Sequence, residues 1–175
     1  MGLRKLKPDT WPADAGWLVP GYNCTPLGYA VVLRALKDVG ILEVPLASNR
    51  GIRIDAMTKR AGLTVPNNPK TPGFWWCAIW AGAVMADAGS LIPVDYPATD
   101  KWLPYCTNKR EIGSAVLYGV HGDAHHIGIV VRTDPMVLTI EGNRGFAGTT
   151  NNGVAVDIGP MLRTDILGYY APRTA

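Results

Sequence analysis

The feature that most constrains this chain is a change of hydrophobic period near residue 113. Up to about residue 90 the apolar residues recur with helical spacing. From 114 onward they alternate with a period near two. Helices first and strands afterwards specify an α+β fold, and the short turns between the later segments make the sheet mostly antiparallel. Thr25-Pro26 opens a predicted helix that runs to about Val39, with Gly40 as its stop and Tyr29, Val32, Leu33 and Leu36 on its inner face. A second helix is predicted over 52–61. A third starts at Cys77, ends at Gly89 and is apolar almost all round, so it is expected to be buried. Residues 90–112 read as loop with a short helix near 101–105. Strands are predicted over 114–119, 126–132, 136–142, 153–158 and 166–171, separated by Gly-, Asn- and Pro-containing turns.

A chain of 175 residues suffices for one ordinary domain with its own core. Residues 1–24 carry Pro8, Pro12 and Pro20 among glycines without any periodicity, and read as an N-terminal arm ahead of a domain over 25–175. Six tryptophans and a charged fraction of 18% exclude a disordered chain, and no apolar run reaches the length of a membrane span. The net charge of +3 suits approach to a polyanionic surface but is too small and dispersed to mark a nucleic-acid binder. Three cysteines, Cys24, Cys77 and Cys106, do not make a disulfide scaffold; a Cys24–Cys106 bridge stays open and would leave Cys77 free. The N-terminal segment lacks the apolar core and cleavage site of a secretory signal, so synthesis in a cytoplasm without Sec export is expected.

Three residues combine into chemistry. Cys77 stands at a predicted helix start, where partial positive charge and free N–H groups favour a thiolate and can hold an oxyanion. His126 opens a strand in His126-Ile-Gly-Ile-Val130 and is placed to move a proton to and from that thiol. Glu141 and Asn143 lie at the end of the next strand, two residues apart, so that either can share a face with Thr139 and orient the imidazole. Trp75 and Trp76, with Phe74, are candidates to line a substrate groove, and Asn49 with Arg50 to border it. The segment His121-Gly-Asp123-Ala-His125-His126 offers metal donors, but a zinc reading leaves Cys77 idle and needs a further ligand; thiolate attack requires neither metal nor cofactor.

Taken together, Asn49-Arg50-Gly51, Pro72-Gly-Phe-Trp-Trp76-Cys77-Ala78, Gly113-Ser-Ala-Val-Leu-Tyr118, His126-Ile-Gly-Ile-Val130 and Ile140-Glu-Gly-Asn143 resemble the CHAP family of cysteine amidohydrolases and peptidases. That family lies within the NlpC/P60 papain-like superfamily. The likeness spans roughly residues 27–171. It implies a papain-like fold with the nucleophile helix packed on an antiparallel sheet. It also implies cleavage of peptidoglycan, at the N-acetylmuramoyl–L-alanine amide or within a stem or cross-bridge peptide. Carried over by position, Cys77 is the nucleophile, His126 the base and acid, Glu141 the orienting group and Asn143 a further polar position. The chain departs from the pattern at Gly113-Ser114, where the family often has Gly-Asp, and at Trp76 and Trp80, bulky residues expected to narrow the cleft.

A wall hydrolase without an export signal or a wall-binding repeat fits a phage protein, carried in a particle through the 1–24 arm or released at lysis as an endolysin. The competing class is a structural virion component whose CHAP-like domain has lost or demoted catalysis. Co-purification with intact particles bears on the first distinction, and the intact Cys77, His126 and Glu141 set bears on the second.

Overall fold

The computed structural model describes residues 24–68, 71–120, 122–144, 155–161 and 164–174. The expected arm, apart from Cys24, lies outside them. The elements are α1 (Pro26–Leu36), α2 (Ile52–Arg60), α3 (Cys77–Asp87), a 3-10 helix (Thr99–Tyr105), β1 (Ala115–Val120), β2 (Asp123–Arg132), β3 (Leu138–Arg144), β4 (Ala155–Pro160) and β5 (Ile166–Tyr170). The strands form one sheet in the order β4-β3-β2-β1-β5, and every pairing between them is antiparallel. The α+β expectation therefore holds.

Helix α1 starts where expected. The Gly28 N–H donates to Thr25 Oγ1 at 2.9 Å, and Pro26 occupies the first helical turn, where its missing N–H costs nothing. It stops at Leu36 rather than Val39 because the chain turns to reach the sheet. Gly40, at φ 90°, donates its N–H to the Val156 carbonyl, and Val156 donates back to Ile41. Its buried face also differs from the expected one, being Gly28, Val31, Val32 and Ala35, while Leu33 faces solvent. The cause is a backbone-to-backbone contact. A Cβ on Gly28 would lie 2.4 Å from the Ile112 carbonyl oxygen, and one on Gly113 would lie 2.4 Å from the Gly28 Cα. Only glycines permit that approach, and it turns the small-residue face of α1 inward.

Helix α3 is buried from Cys77 to Met85 on all sides, as its unbroken apolar sequence implies. It packs mainly on β2 and β3, with α1 and α2 covering its outer surface. Gly82 lets the Tyr96 ring lie against the helix, since a Cβ there would come within 2.0 Å of that ring. The main core joins the three α-helices to Ala115, Leu117, Ile127, Ile129, Val131 and Ile140 of the sheet. Val116, Tyr118, Val130 and Tyr169 make a smaller cluster with the alternate residues of the same strands. An ion-pair network fastens the helices together. Asp38, buried after α1, receives Arg34 at 3.0 Å and Arg53 at 3.4 Å, while Asp87 at the end of α3 is shared by Arg34, Arg53 and Arg60. Burial pushes the Asp38 carboxyl above its ordinary value despite these cations.

The strands match the expected ones with shifts at their ends. β2 begins at Asp123 rather than 126 because the ladder with β1 continues through Gly119–Ala124 to Val120–Asp123. β3 begins two residues later than expected, at Leu138.

Candidate active site

Cys77 is the first residue of α3 and is 5% exposed. Trp76 precedes it at φ −114° and supplies no side-chain cap, and the helix ladder opens with the Trp80 N–H donating to the Trp76 carbonyl at 2.8 Å. The N–H groups of the first turn are thus left without a side-chain acceptor, in a place where they favour negative charge.

Two tryptophans hold this helix start in the core. The Trp76 indole N–H donates to Glu43 Oε1 at 2.8 Å, and that of Trp80 donates to Asp38 Oδ2 at 3.2 Å. Both rings are fully buried, so the expectation that Trp76 lines a groove, and that the pair narrows a cleft, is corrected. Their polar N–H groups are matched by buried carboxylates, which is what lets such large side chains serve as core. Glu43 also accepts the Asn49 N–H at 2.9 Å, and Ser48 accepts the Gly73 N–H at 2.8 Å. A Cβ on Gly73 would meet the Asn49 carbonyl oxygen at 2.3 Å. Asn49, in the left-handed region at φ 54°, thus braces the segment leading to Cys77 through its backbone. Arg50 is engaged by Asp55 through both carboxylate oxygens at 2.9 Å.

His126 sits on β2, 2% exposed, and its Nε2 lies 3.1 Å from Glu141 Oε2 on the neighbouring β3. Its other ring nitrogen, Nδ1, is buried without a partner in full hydrogen-bond geometry and is the nitrogen left to Cys77. Burial alone would strip the proton from this imidazole. Hydrogen bonding to Cys77 and Glu141, and the negative charge on both, outweigh burial and raise its pKa to about 9. Burial likewise opposes ionisation of Glu141. Its hydrogen bond to His126, the positive charges of His126 and Arg144, and the Thr139 hydroxyl outweigh it and hold the carboxyl well below the usual range.

The two candidates for the orienting role stand in different surroundings. Glu141 shares a face with Thr139, whose Oγ1 donates to Glu141 Oε1 at 2.6 Å. After Glu141 the pairing of β3 with β4 slips, and Asn143 is buried at φ 59° within the irregular stretch. The simple alternation expected to align Asn143 with Glu141 is broken there, and it is Glu141 that accepts a hydrogen bond from the imidazole. Sequence reasoning missed Tyr118, which contacts both His126 and Glu141, and Arg144, whose Nη1 lies 3.9 Å from Glu141 Oε1. Each lies on a different strand or beyond the slip, where no local spacing announces it.

Trp75 is 64% exposed and Phe74 45% exposed, so both are free to meet a ligand. Cys24 and Cys106 are free thiols, not a bridge, and burial pushes the Cys106 thiol up to about 11 and raises that of Cys24 as well. Neither is suited to nucleophilic attack. Of the metal donors, His121 lies outside the described residues, Asp123 is exposed, and His125 Nε2 lies 3.6 Å from Asp165. Among the described residues no group of three or more His, Cys, Asp or Glu side chains is arranged to hold a metal ion. Because thiolate attack needs no metal, any amide hydrolysis carried out through Cys77 is expected to survive EDTA. Loss on chelation, with recovery on added Zn²⁺ and indifference to thiol reagents, returns the reaction to the His121 segment. Comparison with family models, curated proteins and solved structures found nothing that matches this chain.

Proposed function

We propose that this protein is a cysteine amidohydrolase or endopeptidase of the CHAP type, with a papain-like arrangement of helix and sheet, that cleaves an amide bond of bacterial peptidoglycan. The observation that carries the reading is the buried line from Cys77 at an uncapped helix start through His126 to Glu141. In this reading Cys77, as the thiolate, attacks the amide carbonyl carbon and the C=O electron pair moves onto oxygen. The first-turn N–H groups of α3 receive that oxyanion. Collapse breaks the C–N bond, and His126 gives its proton to the departing amine. The thioester left on Cys77 is cleaved by water, whose proton His126 takes up and returns to the thiol. Glu141 keeps the imidazole turned toward Cys77 and supports its positive charge.

A shallow apolar cleft of about 460 Å³ is lined by Leu63, Phe74, Trp75, Ile79, Pro97 and Ala98 among others. Trp75 is two residues before Cys77. Thr99, next to Ala98, donates to the Ala124 carbonyl two residues before His126. The cleft's lining residues are thus linked through the chain to the segments that carry Cys77 and His126, and its apolar walls suit a sugar face or an alanyl side chain. Trp75→Ala is expected to raise KM for wall fragments about three- to tenfold with little change in kcat. An unchanged KM removes Trp75 from the binding site. Direct support for the reaction itself is release of new amino groups from purified walls. The protein acts at the wall, delivered by a phage particle or at lysis.

A further inference from the structure

We propose that Tyr118 is the positioning residue of this site, a buried strut that reaches from β1 across β2 and fixes the Glu141 carboxylate and the His126 ring together. The proposal rests on the Cys77–His126–Glu141 reading above.

Tyr118 is fully buried and lies directly opposite His126 in the β1–β2 ladder. The two rings are nearly parallel, at 24°, with centroids 5.8 Å apart. The Tyr118 hydroxyl passes beyond His126 and donates to Glu141 Oε1 on β3 at 3.1 Å. One side chain thus touches both members of the pair. Three features of the fold make this reach possible. Gly128 on β2 leaves room for Glu141 to lie over the strand, since a Cβ there would come within 2.5 Å of the Glu141 Cγ. The pairing of β1 with β2 slips between Tyr118 and Gly119, and its pairing with β5 slips between Leu117 and Tyr118. Irregularities of this kind re-aim a side chain, and here they fall on both sides of the same residue.

The two carboxylate oxygens of Glu141 have separate tasks. Oε1 accepts from Thr139 and Tyr118, with Arg144 nearby, and Oε2 faces His126. The terminal torsion of a glutamate is soft, so anchoring one oxygen is what aims the other. Stacking on the Tyr118 ring then sets the plane of the imidazole. A tyrosine buried for packing alone would satisfy its hydroxyl anywhere; this one spends it on the group that orients the base.

The test is Tyr118→Phe in the full chain, which keeps the ring and removes the hydroxyl. Its kcat on purified walls is expected to fall about tenfold at unchanged KM, the scale of a hydrogen bond to a charged group. In a Glu141→Gln chain the same change is expected to cost less than twofold, because Tyr118 acts through the carboxylate. An equal cost in both chains overturns the proposal. A second readout needs no substrate: the His126 Nε2–H proton, followed by NMR, is expected to be downfield and protected in the native chain and to broaden or exchange faster in Tyr118→Phe. Identical His126 signals in the two chains overturn the positioning role whatever the activity. A chain that shows the NMR change yet never hydrolyses walls retains the positioning role and loses the proposed reaction instead.

Discussion

Cys77→Ala is expected to reduce release of amino groups from purified walls to background, a loss of at least about a thousandfold, while leaving far-UV circular dichroism unchanged. The expectation follows from the covalent mechanism proposed for the site. Without the thiol there is no thioester, and neither His126 nor the first-turn N–H groups of α3 can substitute for the missing nucleophile. The fold should tolerate the change because Cys77 is the first residue of α3, and alanine is the better helix former. The other two thiols offer no bypass, since burial raises both Cys24 and Cys106. A Cys77→Ala chain that still opens walls removes the cysteine mechanism. A native chain that never opens them, yet assembles into particles, supports the structural alternative.

Glu141→Gln is expected to lower kcat by about a hundredfold and to move the alkaline limb of the pH–rate profile to lower pH. In the native chain the imidazolium form of His126 persists to about pH 9, because Cys77 and Glu141 outweigh burial. Activity that needs that proton is therefore lost as pH rises through about 9. Replacing the carboxylate with an amide removes one of the two groups that raise the ring, so the proton leaves sooner. The same pair carries a stability term of defined sign. The raised His126 contributes stability that is full below the unfolded value near 6.5 and is lost as pH rises through about 9. The depressed Glu141 contributes stability that is present above about pH 4.5 and is lost as pH falls through its lowered value. Thermal melts of the native chain should thus be highest between these limits, and Glu141→Gln should flatten the dependence on both sides. A pH–rate profile with its alkaline limb unmoved in Glu141→Gln shows that Glu141 does not support His126, and returns the orienting role to Asn143.

Much of this arrangement is legible in the residues alone. Thr25-Pro26 is a local signal, complete within four residues, and α1 begins there. The apolar run from Cys77 to Met85 has no polar face to offer solvent, so its burial follows from composition. Alternation after residue 113 and the turn residues between segments were enough for an antiparallel sheet, because pairing of successive strands through short turns is a local matter. The pairing of His126 with Glu141 follows from two adjacent strands of that sheet.

The remainder was decided by contacts between distant segments. The inward face of α1 was set by the Gly28–Gly113 approach, not by where the larger apolar residues fell. Trp76 and Trp80 are core rather than groove because Glu43 and Asp38, far away in the chain, accept their indole protons. Nothing near either tryptophan announces those partners. Asn143 lost its place beside Glu141 to a slip in the β3–β4 pairing, which alternation cannot foresee. The reach of Tyr118 over Gly128 to Glu141 depends on three strands lying in the order β1-β2-β3. By itself the sequence determined the types of element and their order and singled out Cys77, His126 and Glu141, since these depend on near neighbours. Which side chains brace them was settled only when packing brought remote donors, acceptors and glycine-sized gaps together.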